Sequence, residues 1–182
     1  MKILILIFAL ISVTLAVTLN CKFVMGYGTN LPLTYGCYQS TLSNINETET
    51  LTAVYGTHMS GKSNADVGYL FIDSVASLTF FPRGIINFFA NLIAIYINRC
   101  NISTLRGFEL NVFIKLRWFG FQNQPLERIP GNLFANKPLV HFASFQSNNI
   151  KHVSYDLLSS FSTAYIRKFG SQLLCQSTCN NC

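Results

Sequence analysis

Charge is scarce in this chain. Only 11% of its 182 residues are charged, less than half the share of about 25% usual in globular proteins. Set beside 50% hydrophobic residues, that excludes a disordered chain and a charge-laced coiled coil, and predicts a packed core. Lys and Arg outnumber Asp and Glu by 13 to 7, a formal charge of +6. The cations nevertheless stand singly, with no run longer than Arg167-Lys168. A nucleic-acid module clusters such side chains to displace counterions from phosphates, so nucleic acid is not an expected partner. Catalytic signatures are missing as well: there is no GxSxG elbow and no HExxH pair, and Ser60-Gly61-Lys62-Ser63 keeps only the end of a phosphate-binding GxxxxGK(S/T) loop. His58 lies in the loop Gly56-Thr-His-Met-Ser-Gly61, where a hydrogen bond within a capping loop is its expected role. His141 sits beside a strand and His152 in a turn. A cysteine nucleophile needs an accessible thiol beside a base, whereas Cys100 falls in an inward column of the pattern described below. No enzyme activity and no cofactor are expected.

Long apolar runs are confined to the start. Residues 1–20 read MKILILIFALISVTLAVTLN, a basic n-region and an apolar stretch ending in small residues, which is the pattern of a secretory signal peptide. The run is shorter than the roughly 20 residues a bilayer span needs. Cleavage after Ala16 or after Thr18 fits the small residues there. The second apolar stretch, from Ile85 to Ile97, is interrupted by Asn87 and Asn91 and fits a folded core. No membrane span is expected after signal cleavage, and the chain reads as secreted and extracellular.

Six cysteines agree with an oxidising compartment: Cys21, Cys37, Cys100, Cys175, Cys179 and Cys182. Cys21 and Cys37 enclose a loop with Gly26, Gly28, Pro32 and Gly36, which suits a disulfide-closed hairpin. Cys175 with Cys179 or Cys182 can staple the tail, leaving an odd thiol that is open to joining another chain. A zinc site needs ligand pairs in both halves, and only Cys179-Asn-Asn-Cys182 has that spacing, so no metal is expected. Asn46-Glu47-Thr48 and Asn101-Ile102-Ser103 are glycosylation sequons.

A repeat organises what remains. Leu92, Ile95, Ile97, Cys100, Ile102 and Leu105 fill every specified position of LxxLxLxx(N/C)xLxxL. Twenty-four residues later, Leu116, Phe119, Phe121, Leu126 and Ile129 do the same, with Gln124 in the asparagine column. Twenty-four more reach Val140, Ala143, Phe145, Asn148, Ile150 and Val153. Weaker units flank these three: Val67, Leu70, Ile72, Leu78 and Phe81 before, and Ala164, Phe169, Gln172 and Leu174 after. Terminal repeats degrade in this way because each packs against one neighbour only. In each short strand the leucine-type side chains point into a solenoid and the residues between them face out. An amide in the Asn148 column can bond adjacent turns into a ladder. The pieces 82–92, 105–116, 130–140 and 153–164 make the convex side as short helical turns, with Phe88, Phe89, Phe108, Phe113, Phe134 and Phe161 filling the interior.

With Arg128-Ile-Pro-Gly-Asn-Leu-Phe134 similar to the IPxxLF convex segment, these residues resemble the extracellular leucine-rich repeat family. The Cys-flanked start, Gly56 to Asn64 and Asn148-Asn-Ile-Lys-His-Val153 look like its small secreted members in flies and midges. The resemblance implies an α/β solenoid: a short horseshoe of about five repeats with a parallel concave sheet and cysteine-stapled caps. The expected organisation is a signal peptide (1–18), an N-terminal cysteine-containing cap (19–66), repeats (67–174) and a cysteine-rich tail (175–182).

The outward columns carry the functional expectation. One gives Tyr69, Ala94, Trp118 and Phe142, the next Phe71, Tyr96, Gly120 and Ser144. Beyond them run Asp73, Asn98, Gln122 and Gln146 beside Ser74, Arg99, Asn123 and Ser147. Aromatic rings with Arg and amides are the composition of interaction surfaces. The expected binding residues are therefore Tyr69, Phe71, Tyr96, Asn98, Arg99, Trp118, Gln122 and Phe142, and the expected partner is an extracellular protein or glycan. The alternative is a structural or self-associating secreted component, linked through sheet edges or the odd cysteine into a homo-oligomer.

Overall fold

The computed structural model describes residues 16–26, 33–43 and 47–157. The residues before Ala16, where a signal peptide is expected, together with Asn46, Phe161, the last expected repeat and Cys175, Cys179 and Cys182, lie outside the described residues. Seven strands form one open sheet: β1 (Val17–Gly26), β2 (Thr34–Leu42), β3 (Leu51–Tyr55), β4 (Tyr69–Asp73), β5 (Ala94–Asn98), β6 (Trp118–Gln122) and β8 (Phe142–Ser144), in the order β3-β1-β2-β4-β5-β6-β8. From β2 to β8 all neighbours are parallel. β1 runs antiparallel to β2, and β3 runs parallel to β1. On the far side β7 (Arg128–Ile129) pairs with β9 (His152–Val153), also parallel.

The period sets the register. Leu70, Ile95, Phe119 and Ala143 are successive partners, as are Ile72, Ile97 and Phe121, and all of them are buried. Phe119 is the hub, its ring centroid about 6 Å from those of Phe121, Phe134 and Phe145. Each repeat strand is followed by a residue of left-handed conformation: Ser74 (φ 57), Arg99 (φ 49) and Asn123 (φ 51) directly after β4, β5 and β6, and Ser147 (φ 56) three residues after β8. The twist turns the chain while its N–H still extends the ladder, from Ser74 to the Asn98 carbonyl (3.0 Å), Arg99 to Gln122 (3.2 Å) and Asn123 to Gln146 (3.0 Å).

Just past the corner stand Cys100, Gln124 and Asn148. The Asn148 amide donates to the carbonyls of Phe121 and Phe145 (2.7 Å each) and its Oδ1 accepts from the Gln124 N–H (3.1 Å). Gln124, only 4% exposed, repeats the role one turn earlier: its Oε1 accepts from Ile102 N–H and its Nε2 donates to the Gln122 carbonyl. Cys100 is a buried free thiol whose Sγ donates to the Asn98 carbonyl at 3.3 Å, and burial pushes its pKa up.

The described helices are short, as expected: they are the 3-10 turns Asn64–Asp66, Ile85–Asn87 and Gly131–Phe134, and there is no α-helix among the described residues, so the helical part of the expected α/β class is not seen there. Neighbouring connections lie close on the far side: a β-carbon on Gly107 would collide with the Asn132 side chain and one on Gly131 with the Asp156 side chain. Phe108 departs from expectation: it is 53% exposed and carries the Arg106 guanidinium 6.0 Å from its ring centre. It shares a column with Asn132 and Asp156, 24 and 48 residues on, and both of these are exposed. Phe89, Phe113 and Phe134 are buried as expected, and Phe88 is half-buried.

The N-terminal strands add to the same sheet. Val17, Leu19, Cys21 and Phe23 alternate inward along β1. The Cys21–Cys37 disulfide ties β1 to β2, its Cα atoms 5.1 Å apart. Closing a loop of this size contributes about 3 kcal/mol through the unfolded chain. β2 then pairs along β4, which would otherwise expose that edge. No helix among the described residues is long and apolar enough to cross a membrane.

Candidate aromatic face

The strand pairing brings the expected residues together on the face opposite the core. Tyr69 is partnered by Ala94, Ala94 by Trp118, and Trp118 by Phe142; one step along, Phe71, Tyr96, Gly120 and Ser144 follow in the same order. Tyr69 is buried, while Phe71, Tyr96, Trp118 and Phe142 are half-buried. The rings shield one another. Tyr69 lies 5.7 Å from Tyr96 and 6.3 Å from Phe71, centroid to centroid. Small residues make room for them. A β-carbon on Gly120 would collide with the Tyr96 ring, and one on Gly36 would come within 2.8 Å of the Tyr69 ring. The Tyr96 ring is therefore laid across β6, and Ala94 is sealed beneath its neighbours. Burial pushes the Tyr96 phenol up to about 12 and raises that of Tyr69 further.

A polar row borders the rings at the C-terminal ends of the strands. Asp73 is its centre. Its Oδ1 accepts from Asn98 Nδ2 (2.9 Å) and Arg99 Nε (3.0 Å), and Arg99 also reaches Oδ2 as an ion pair. Its backbone N–H donates to Gln39 Oε1 at 3.1 Å. Asn123 continues the row by donating to Asn98 Oδ1 at 2.7 Å, and Gln122 donates to Ser144 Oγ at 2.7 Å. The hydrogen bonds from Arg99 hold the Asp73 carboxyl below its usual range, and the carboxylate in turn raises the guanidinium.

Two members of this face, Tyr38 and Gln39, escape the repeat. Tyr38 sits 5.3 Å from Phe71 and 5.6 Å from Tyr69, and Gln39 and Asn123 complete the polar row. Tyr38 and Gln39 belong to β2, which has no 24-residue partner, so column reading stops at Tyr69. The available signal was alternation, since Cys37 faces the core and Tyr38 must face away. His141 lies edge-on to Trp118 at 6.0 Å.

His58 packs against core residues of β1 and β2 and is a structural pin. Its ring stacks on Phe23 at 3.9 Å; Nδ1 accepts from the Tyr35 hydroxyl at 2.9 Å, and Nε2 donates to Asn64 Oδ1 at 3.1 Å. The Tyr35 oxygen accepts in turn from the Met59 N–H. Asn101, the sequon inside the described residues, is exposed.

No family model matches the chain, and neither a curated protein nor a solved structure matches it.

Proposed function

We propose that this chain is a secreted leucine-rich repeat module, without enzymatic activity, that binds an extracellular protein or glycan through the aromatic face of its sheet. The 24-residue pitch, the in-register parallel strands and the polar column of Cys100, Gln124 and Asn148 support the solenoid reading, in which this face is the concave one. The intramolecular disulfide supports an extracellular location. The observation that carries the function is the row of half-buried rings, Phe71, Tyr96, Trp118 and Phe142, held on a rigid sheet beside Arg99 and amides. Rings left at a surface are costly and favour association, which a partner relieves.

Trp118→Ala tests it. Screened as a secreted tagged protein against displayed cell-surface proteins and glycans, the variant should lose about 2 kcal/mol or more of binding, the hot-spot scale, with its melting unchanged. A fall of about 3–5 kcal/mol in stability with binding retained marks a merely buried ring, and a variant unchanged in both refutes the reading. A disulfide-linked ladder on a non-reducing gel would favour the structural, self-associating alternative.

A further inference from the structure

We infer that the ligand of this face is a neutral, extended oligosaccharide of β-linked pyranoses; the inference rests on the binding role proposed above and names its chemistry. Three features carry it. The first is charge. Within the polar row the only carboxylate, Asp73, is paired with the only guanidinium, Arg99, and every other member is an amide or a hydroxyl. A row that neutralises itself presents hydrogen-bonding capacity without net charge.

The second is hydrogen-bond stoichiometry. Each side-chain amide has two donors and two acceptor positions. Asn98 uses one of each inside the row, through its bonds with Asp73 and Asn123, so capacity of both kinds remains at the half-buried edge. A sugar hydroxyl is donor and acceptor at once and answers both.

The third is pitch. Phe71, Tyr96, Trp118 and Phe142, each half-buried, stand on the neighbouring strands β4, β5, β6 and β8, so consecutive rings are one strand apart across the sheet, about 4.8 Å. That is close to the rise of one pyranose along an extended β-linked chain. Three strand intervals, about 14 Å, accommodate a tetrasaccharide lying across the strands, with its apolar C–H faces on the electron-rich ring faces and its hydroxyls toward the row.

Chitotetraose and cellotetraose are the probes, with a heparin tetrasaccharide as the anionic comparison, each titrated against the full secreted protein at low and high salt. The expected result is saturable binding of at least one neutral tetrasaccharide, unchanged by salt because no charge is screened. It should weaken more than tenfold in Trp118→Ala and severalfold in Asn123→Ala, and stay unaltered in Tyr155→Ala. Thermal melting checks each variant, and exposed Asn123 decides the matter if Trp118→Ala unfolds. Binding of heparin alone, abolished by salt, overturns the assignment of a neutral ligand. If no sugar binds but a displayed protein does, and Trp118→Ala releases it, the glycan inference fails and the binding face stands. If nothing binds, both fail.

Discussion

Gly120 and Tyr96 form a pair in which one residue's lack of a side chain is the other's seat. Adding a methyl group at Gly120 drives it into the Tyr96 ring, and overpacking of this kind costs about 1–3 kcal/mol. Gly120→Ala should therefore lower stability by that amount, and the penalty should vanish when Tyr96 is already Ala. A double-mutant cycle followed by chemical denaturation measures the coupling; equal penalties in both backgrounds would mean the contact is not made. Asp73 gives a second test, through pH. Its carboxyl is held below the ordinary value of 3.8, so the unfolded chain takes up a proton more readily than the folded one. The pair's contribution is complete above the ordinary value and is lost as pH falls through the lowered one. Because Arg99 is largely exposed, solvent screens the pair and that contribution is small. Melting temperature should fall more steeply below about pH 4 in wild type than in Asp73→Asn, and parallel curves would remove the pair from the account.

Among the elements, β1 bears on processing. Val17 is 2% exposed and pairs with Leu51, and the Thr18 N–H donates to Ser43 Oγ at 2.7 Å. Cleavage after Thr18 would cut two residues from this strand and forgo the burial of a valine, worth about 1.5–3 kcal/mol. N-terminal sequencing of the secreted protein should read Val17 first; Leu19 first would show that the strand holds without them. The repeat strands β4, β5, β6 and β8 were legible in the sequence because their inward and outward columns recur together, and with them Tyr69, Phe71, Tyr96, Trp118 and Phe142. β2 and β3 carry no such period, which hid Tyr38 and Gln39. The opening residues of β1 were hidden for another reason: an apolar leader and an inward-facing strand use the same side chains. Phe108 was misread through residue type, although its own column, shared with Asn132 and Asp156, points outward.

Across the molecule, the strand direction reverses once, between β1 and β2, and never again toward β8. Growth of the sheet is thereby polarised. Unequal duplication of one turn can insert a strand anywhere among the parallel ones, whereas at the reversal an added unit would meet a neighbour of the wrong direction. The seat under Tyr96 narrows the choice further. A second copy of residues 118–141 sets one Gly120 beside another, and the lengthened protein should fold and melt cooperatively. A second copy of residues 94–117 instead sets a Tyr96 where its twin needs a glycine, and should be markedly less stable in the same circular-dichroism melt. The lineage of such a chain can lengthen freely by one of its turns and only with compensation by another, so a single absent side chain decides which segment of the gene is copyable.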